Sequence, residues 1–148
     1  MSAIPHPDVT YRVIGCAMSV HNRLGPGLRE GHYQRALSVE MESAGLAHED
    51  EKPVEIHFDG TRVGLLYLDH LVEGTVIVEV KALRHKLTND EIGQVITYLA
   101  ATGLRVGLLL NFGGKSLEYR RILPPRKLDH WKARIGRYFW TPQRTYNQ

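Results

Sequence analysis

One cysteine, Cys16, stands in 148 residues. This scarcity excludes an intramolecular disulfide and any zinc or iron-sulfur site built from the cysteines of a single chain. Within VIGCAM the thiol reads as a small buried hydrophobe. Long apolar runs are also missing, since none approaches the ~20 residues of a membrane-spanning helix. The opening MSAIPHPDVT has neither the basic head nor the apolar core of a secretory signal, so the expectation is a cytoplasmic protein with no membrane partner. The eight histidines (6, 21, 32, 48, 57, 70, 85 and 130) include no pair at the close helical spacing of a zinc site, which argues against a zinc role. GPG at 25–27 and GG at 113–114 lack the lysine and serine of a phosphate loop and read as turns. Ser38 and Ser116 have no base partner in view, so nothing supports a serine nucleophile.

What is present fits one domain: 43% hydrophobic and 24% charged residues are ordinary for a globular chain of this length. The net charge of +3 hides a division. From Arg120 onward eight basic residues face one acid, Asp129, whereas the first 119 residues hold 11 basic and 15 acidic groups. A polyanionic partner would therefore meet the C-terminal end.

Periodicity divides the chain into elements. Pro7-Asp8 starts a helix whose apolar stripe is Val13, Ile14, Ala17, Met18, Val20, His21 and Leu24. After LGPG a second helix is expected from Leu28 to Ala44, with Tyr33, Leu37, Met41 and Ala44 on one face and Gly45 past its end. Strands follow at 53–58, 61–69 and 75–82, joined through Asp59-Gly60 and Glu73-Gly74 as an antiparallel meander. TNDEIGQVITYLAATG is a helix capped by Thr88 or Asn89, with Ile92, Val95, Ile96 and Leu99 facing inward. LRVGLLLNF (104–112) suits a strand buried on both faces, and SLEYRRIL an edge strand. Pro124-Pro125 then precedes an amphipathic basic helix. The order predicts an α/β fold, a mixed central sheet flanked by helices.

The chemistry concentrates in DHLVEGTVIVEVKA. Glu79 and Lys81, two apart on a strand, share a face, while Val78 and Val80 share the other. A hairpin closing through Glu73-Gly74 would bring Asp69 beside Glu79. Two carboxylates converging at a sheet end offer hard oxygens suited to Mg2+ or Mn2+, and an adjacent lysine can stabilise charge on a phosphoryl oxygen. The spacing alone leaves an ordinary edge-strand Glu-Lys pair open. Charge set among valines and isoleucines is costly, however, and asks for a reason.

GLREGHY (27–33), with VHNRLGPG, IVEVKA, QVITYLAATGLRVGLLLNFG and LEYRRI around it, resembles the GxxExxY proteins over residues 9–123. That family is similar to a branch of the PD-(D/E)XK nucleases, whose restriction-endonuclease-like core follows the order α-β-β-β-α-β around a mixed four-stranded sheet. The resemblance implies Asp69 as the first acid, Glu79 and Lys81 as the E-x-K, and Glu30 as the helical acid completing the metal site. It also implies Gln94 and Tyr98 as a supporting Q-x-x-x-Y pair. Leu68-Asp69 replaces the usual PD, and Ser19 stands where a glutamate is expected. Read from the residues alone, Glu30 could equally be an acid stabilised by its helix dipole, and Gln94 with Tyr98 a surface or core-edge pair.

The expectation is then a Mg2+- or Mn2+-dependent nuclease hydrolysing phosphodiesters with activated water. Asp69, Glu79, the Val80 carbonyl and Glu30 would serve the metal, and Asp69, Glu79 and Lys81 the reaction. The alternative is a catalytically silent nucleic-acid-binding or assembly module that keeps the fold. DNA rather than RNA is the expected partner, and a homodimer would suit a nuclease that cuts two strands. Residues 1–123 would form the nuclease-like domain, and 124–148 a basic, aromatic helix and tail packed on it. There Arg126, Lys127, Lys132, Arg134 and Arg137, interleaved with Trp131, Tyr138, Phe139 and Trp140, suit contact with phosphates and bases.

Overall fold

A computed structural model of the chain describes residues 4–125. The elements are α1 (Pro7–Leu24), α2 (Glu30–Ser43), β1 (His48–Phe58), β2 (Thr61–Val72), β3 (Val76–Lys81), α3 (Asn89–Thr102), β4 (Val106–Asn111) and β5 (Glu118–Ile122). The strands form one sheet in the order β1-β2-β3-β4-β5. Neighbours are antiparallel except β3 and β4, which run parallel because α3 carries the chain back between them. The expected mixed α/β sheet is the one observed among the described residues, its five strands matching the five read from the sequence, where the resemblance implied a core of four. Among the described residues no helix is long and apolar enough to cross a membrane.

The period of two in β3 and β4 divides the core into two layers. Val76, Val78 and Val80, with Val106, Leu108 and Leu110, pack under α1 and α2 against Val13, Ala17, Val20, Tyr33, Leu37 and Met41. Ile77 and Leu109 face the other way and meet Val95, Tyr98 and Leu99 of α3. Every residue of β4 is buried, as its unbroken apolar run requires for a strand covered on both faces. Gly107 is needed there, because a Cβ at that position would lie 2.4 Å from Val95 Cγ1. Asp59 and Gly60 both have positive φ (50° and 79°), the backbone of a two-residue type I′ hairpin between Phe58 and Thr61.

A reciprocal cap fixes the start of α3. Thr88 Oγ1 accepts from Asp90 N–H at 3.2 Å, and Glu91 Oε1 accepts from Thr88 N–H at 2.7 Å. Thr88→Ala is expected to cost about 1 kcal/mol of stability in a urea titration, with an unchanged denaturant slope.

Several boundaries differ from those read in the sequence. β1 begins at His48 rather than Pro53, because its charged residues form the outer part of an edge strand, where water and one another satisfy them. β2 continues past Asp69 to Val72, its last three residues pairing with β3. α2 starts at Glu30 rather than Leu28, since Gly27 has φ 112° and Arg29 is extended. Met18, Leu24 and Ala44 are exposed, so the buried stripes of α1 and α2 are narrower than their apolar residues imply. Cys16 is buried, as expected. The basic helix and tail, including Arg126, Lys127, Lys132, Arg134 and Arg137, lie outside the described residues.

Candidate active site

Asp69 occupies the point where β2 leaves β3. The ladder pairs His70 with Val78, Leu71 with Ile77 and Val72 with Val76, and side chains continue the bonding one step further. Glu79 Oε2 accepts from Asp69 N–H at 2.8 Å, and Asp69 Oδ2 accepts from Val80 N–H at 2.8 Å. Each acid is thus held by the backbone beside the other. Glu79 is buried and Asp69 half-buried, on the side of the sheet that carries α3.

This proximity is electrostatically costly. Burial, and then the charge of Asp69, push Glu79 up to about 8, against the opposing effects of the Asp69 amide and Lys81. Burial also raises Asp69, aided by Glu30 and opposed by the Val80 amide, His70 and Lys81. Among the described residues no cationic side chain is ion-paired with either carboxylate. Two converging acids with uncompensated charge fit a divalent cation with a preference for oxygen, as Mg2+ and Mn2+ have.

Lys81, on the same face of β3 as Glu79, lowers the pKa of both acids through space without pairing with either. Tyr98 is buried beside them, and burial together with the charges of Glu79 and Asp69 pushes its phenol up to about 12. It therefore stays protonated, and it accepts a hydrogen bond from Gln94 Nε2 at 3.0 Å. Glu30 is the exposed first residue of α2, close enough for its charge to raise Asp69, Glu79 and Tyr98. The loop before it is shaped by Tyr33, whose hydroxyl donates to Gly25 O at 2.5 Å and accepts from Leu28 N–H at 3.1 Å. The structure thus brings Glu30, Asp69, Glu79, Val80, Lys81, Gln94 and Tyr98 to one end of the sheet.

Other side chains near that end were not singled out by their sequence pattern. Beyond the C-terminal ends of β3 and β4, a cavity of about 280 Å³ is lined by Arg84, His85, Lys86 and Lys115, with Asn111 and Glu118 among its other walls. A neighbouring one of about 360 Å³ shares Arg84 and is lined by Gly27, Leu28, Ala82 and Gly113. The buried Asn111 organises the segment between them. Its Oδ1 accepts from Leu83 N–H at 2.8 Å and Gly113 N–H at 3.1 Å, and its Nδ2 donates to His85 O at 3.1 Å.

A second group of metal-ligating side chains lies on the opposite face. One ligand atom from each of His48, Asp50 and His70 falls within 4.8 Å of the others. The expectation against a zinc role for the histidines rests on helical spacing, whereas these residues meet through strand register, Asp50 standing opposite His70. His21 and His32 act as packing and capping groups: His21 Nε2 lies 2.9 Å from Gly114 O, and His32 Nδ1 accepts from Arg29 N–H at 3.2 Å.

The family model of the PD-(D/E)XK nuclease superfamily matches residues 7–122, which include every candidate residue named above except those of the basic tail. No curated protein matches the chain.

Proposed function

Because the chain belongs to the PD-(D/E)XK nuclease superfamily, we propose that it is a divalent-metal-dependent nuclease of the GxxExxY branch, hydrolysing phosphodiester bonds of DNA in the cytoplasm. The observation that carries this reading is the pair of converging carboxylates, ion-paired with no cation among the described residues, with Lys81 on the same face. Asp69, Glu79 and the Val80 carbonyl would hold Mg2+ or Mn2+, with Glu30 binding directly or through water. The bound ion would polarise a phosphoryl oxygen and acidify water.

The remaining work falls to the chain itself. Lys81 presents an ammonium to charge developing on the phosphoryl group or to the attacking water. The Tyr98 phenol, kept neutral and accepting from Gln94, would have its own proton to donate to a phosphoryl oxygen. Gly27, Glu30 and Tyr33 explain the GxxExxY signature physically. The glycine accommodates a φ of 112° and the tyrosine ties the loop, so that the glutamate opens the helix toward the acids. Arg84, Lys86 and Lys115 would receive backbone phosphates, assisted by Arg126, Lys127, Lys132, Arg134 and Arg137 of the tail. Residues 124–148 would pack on the same domain, and a homodimer would serve double-strand cutting.

The test is incubation of purified protein with linear, nicked and single-stranded DNA and with RNA, under Mg2+, Mn2+ or EDTA. Cleavage should require the metal, and Asp69→Asn and Lys81→Ala should each lower its rate at least ~100-fold. Cleavage that survives either substitution would overturn the assigned site. Tight binding with no cleavage under any metal would identify a silent binding module instead.

A further inference from the structure

We propose that His48, Asp50 and His70 form a second metal site, for Zn2+ or a similar transition ion, that clasps the edge strand β1 to β2 and lies apart from the carboxylate pair. The inference does not rest on the nuclease reading. Asp50 and His70 are cross-strand partners, and His48, two residues before Asp50, shares its face of β1. His70 pairs with Val78, whose side chain packs under α1 and α2, so the cluster and Glu79 lie on opposite faces of the sheet.

Asp50 Oδ1 lies 2.8 Å from His48 Nδ1 and 2.7 Å from His70 Nδ1, while Oδ2 accepts from Ser38 Oγ at 2.5 Å. With no ion, one carboxylate oxygen accepts two imidazole N–H bonds. Both Nε2 atoms then carry buried lone pairs with no hydrogen-bond partner among the described residues, and the His70 ring is completely enclosed. A cation replacing the two protons takes a lone pair from each Nδ1 and moves the ring proton to Nε2. On His48 that proton then faces Glu42 Oε1, 3.6 Å away.

Two imidazoles and one carboxylate are a donor set for zinc rather than magnesium, and three protein ligands leave a fourth position for water. Bonds of ~2.0 Å in a tetrahedral shell require ligand atoms roughly 3.3 Å apart, so the two Asp50–histidine distances need widen by about half an ångström, and the two histidine nitrogens, within 4.8 Å of one another, need close by at most about 1.5 Å. Asp50 is exposed and His48 partly so, which provides an entry path, while His70 closes the back of the site. The site would tie the polar start of β1, which has a strand neighbour on one side only, to the sheet.

The full-length chain, stripped with a chelator, is titrated with Co2+ near neutral pH and followed by visible absorption. The expected result is the d–d spectrum of tetrahedral Co2+, saturating at one equivalent and displaced by Zn2+. Zn2+ should raise the melting temperature by on the order of 5 °C. The spectrum should persist in Glu79→Gln and vanish in His48→Gln and in Asp50→Asn, each checked for native circular dichroism. Paramagnetic shifts of the His48 and His70 ring protons in the unsubstituted, Co2+-loaded protein provide a readout that needs no variant. No spectrum, unshifted rings, or a spectrum lost in Glu79→Gln and retained in folded His48→Gln would each overturn the proposal.

Discussion

Glu79→Gln should abolish metal-dependent cleavage, by a factor of 10³ or more, while making the metal-free protein more stable at neutral and alkaline pH. The two effects share one cause. Burial and the Asp69 charge raise Glu79 from an ordinary 4.5 to about 8, so between those values the folded chain holds a proton that the unfolded chain releases. Stability from this group is full below pH ~4.5 and is lost as pH rises through about 8. Glutamine carries no titrating charge, and its amide oxygen can still accept from the Asp69 N–H. The expected gain is negligible near pH 4 and roughly 1–3 kcal/mol near pH 8, a melting shift of several degrees. Added Mg2+ or Mn2+ should narrow the difference by stabilising only the native acid pair. A pH series of thermal melts on both proteins checks this. A difference that does not vary with pH would show that Glu79 is ionised without strain, contrary to the proposed site.

Gly113→Ala should be the most damaging single-methyl change in the described chain. A Cβ there would lie 2.1 Å from Leu83 O, 2.5 Å from Leu83 C and 2.6 Å from Leu83 N, all backbone atoms with no rotamer to yield. Moving Leu83 would break its N–H bond to Asn111 Oδ1 and disturb the Phe112 N–H bond to Lys81 O at 2.8 Å. Destabilisation of about 3 kcal/mol or more is expected in urea unfolding. Any folded fraction should cleave at least ~100-fold more slowly, because Lys81 immediately precedes the displaced segment. Gly114→Ala is the control: its Cβ would meet only Ser116 O, at an ordinary 3.5 Å, and both stability and rate should stay near wild type. Equal losses in the two variants would show that the contact with Leu83 is not the reason for Gly113.

The parts of the fold legible in the sequence were those where burial dictates residue type. β4 reads as a doubly covered strand because all six of its residues are buried, and Asp59-Gly60 reads as a hairpin because its backbone tolerates few other pairs. The placement of Asp69 beside Glu79 follows from the period of a strand and the closure of one turn. The His48-Asp50-His70 cluster follows from neither. Counting back from the pairing of Phe58 with Thr61 puts Asp50 opposite Asp69, but the register shifts between Ile56 and His57 and brings His70 there instead. A bulge leaves little trace in polarity, so the residues it juxtaposes remain unconnected in the sequence. Asn111 was hidden for another reason. At the end of an apolar run it looks like a strand terminus, and two of its four hydrogen bonds go to Leu83 and His85, far back along the chain.

The crossed bonds between Asp69 and Glu79 also set how an ion would be gripped. Oδ2 of Asp69 and Oε2 of Glu79 are engaged by backbone N–H groups, so Oδ1 and Oε1 are the oxygens that those two bonds leave for an ion. An ion bound there would find only part of its shell in the protein. A cation that prefers six oxygens would complete that shell from water and from the phosphate being cut. On the proposed reading ion and substrate would be each other's ligands, and the free chain should hold its metal weakly until nucleic acid arrives.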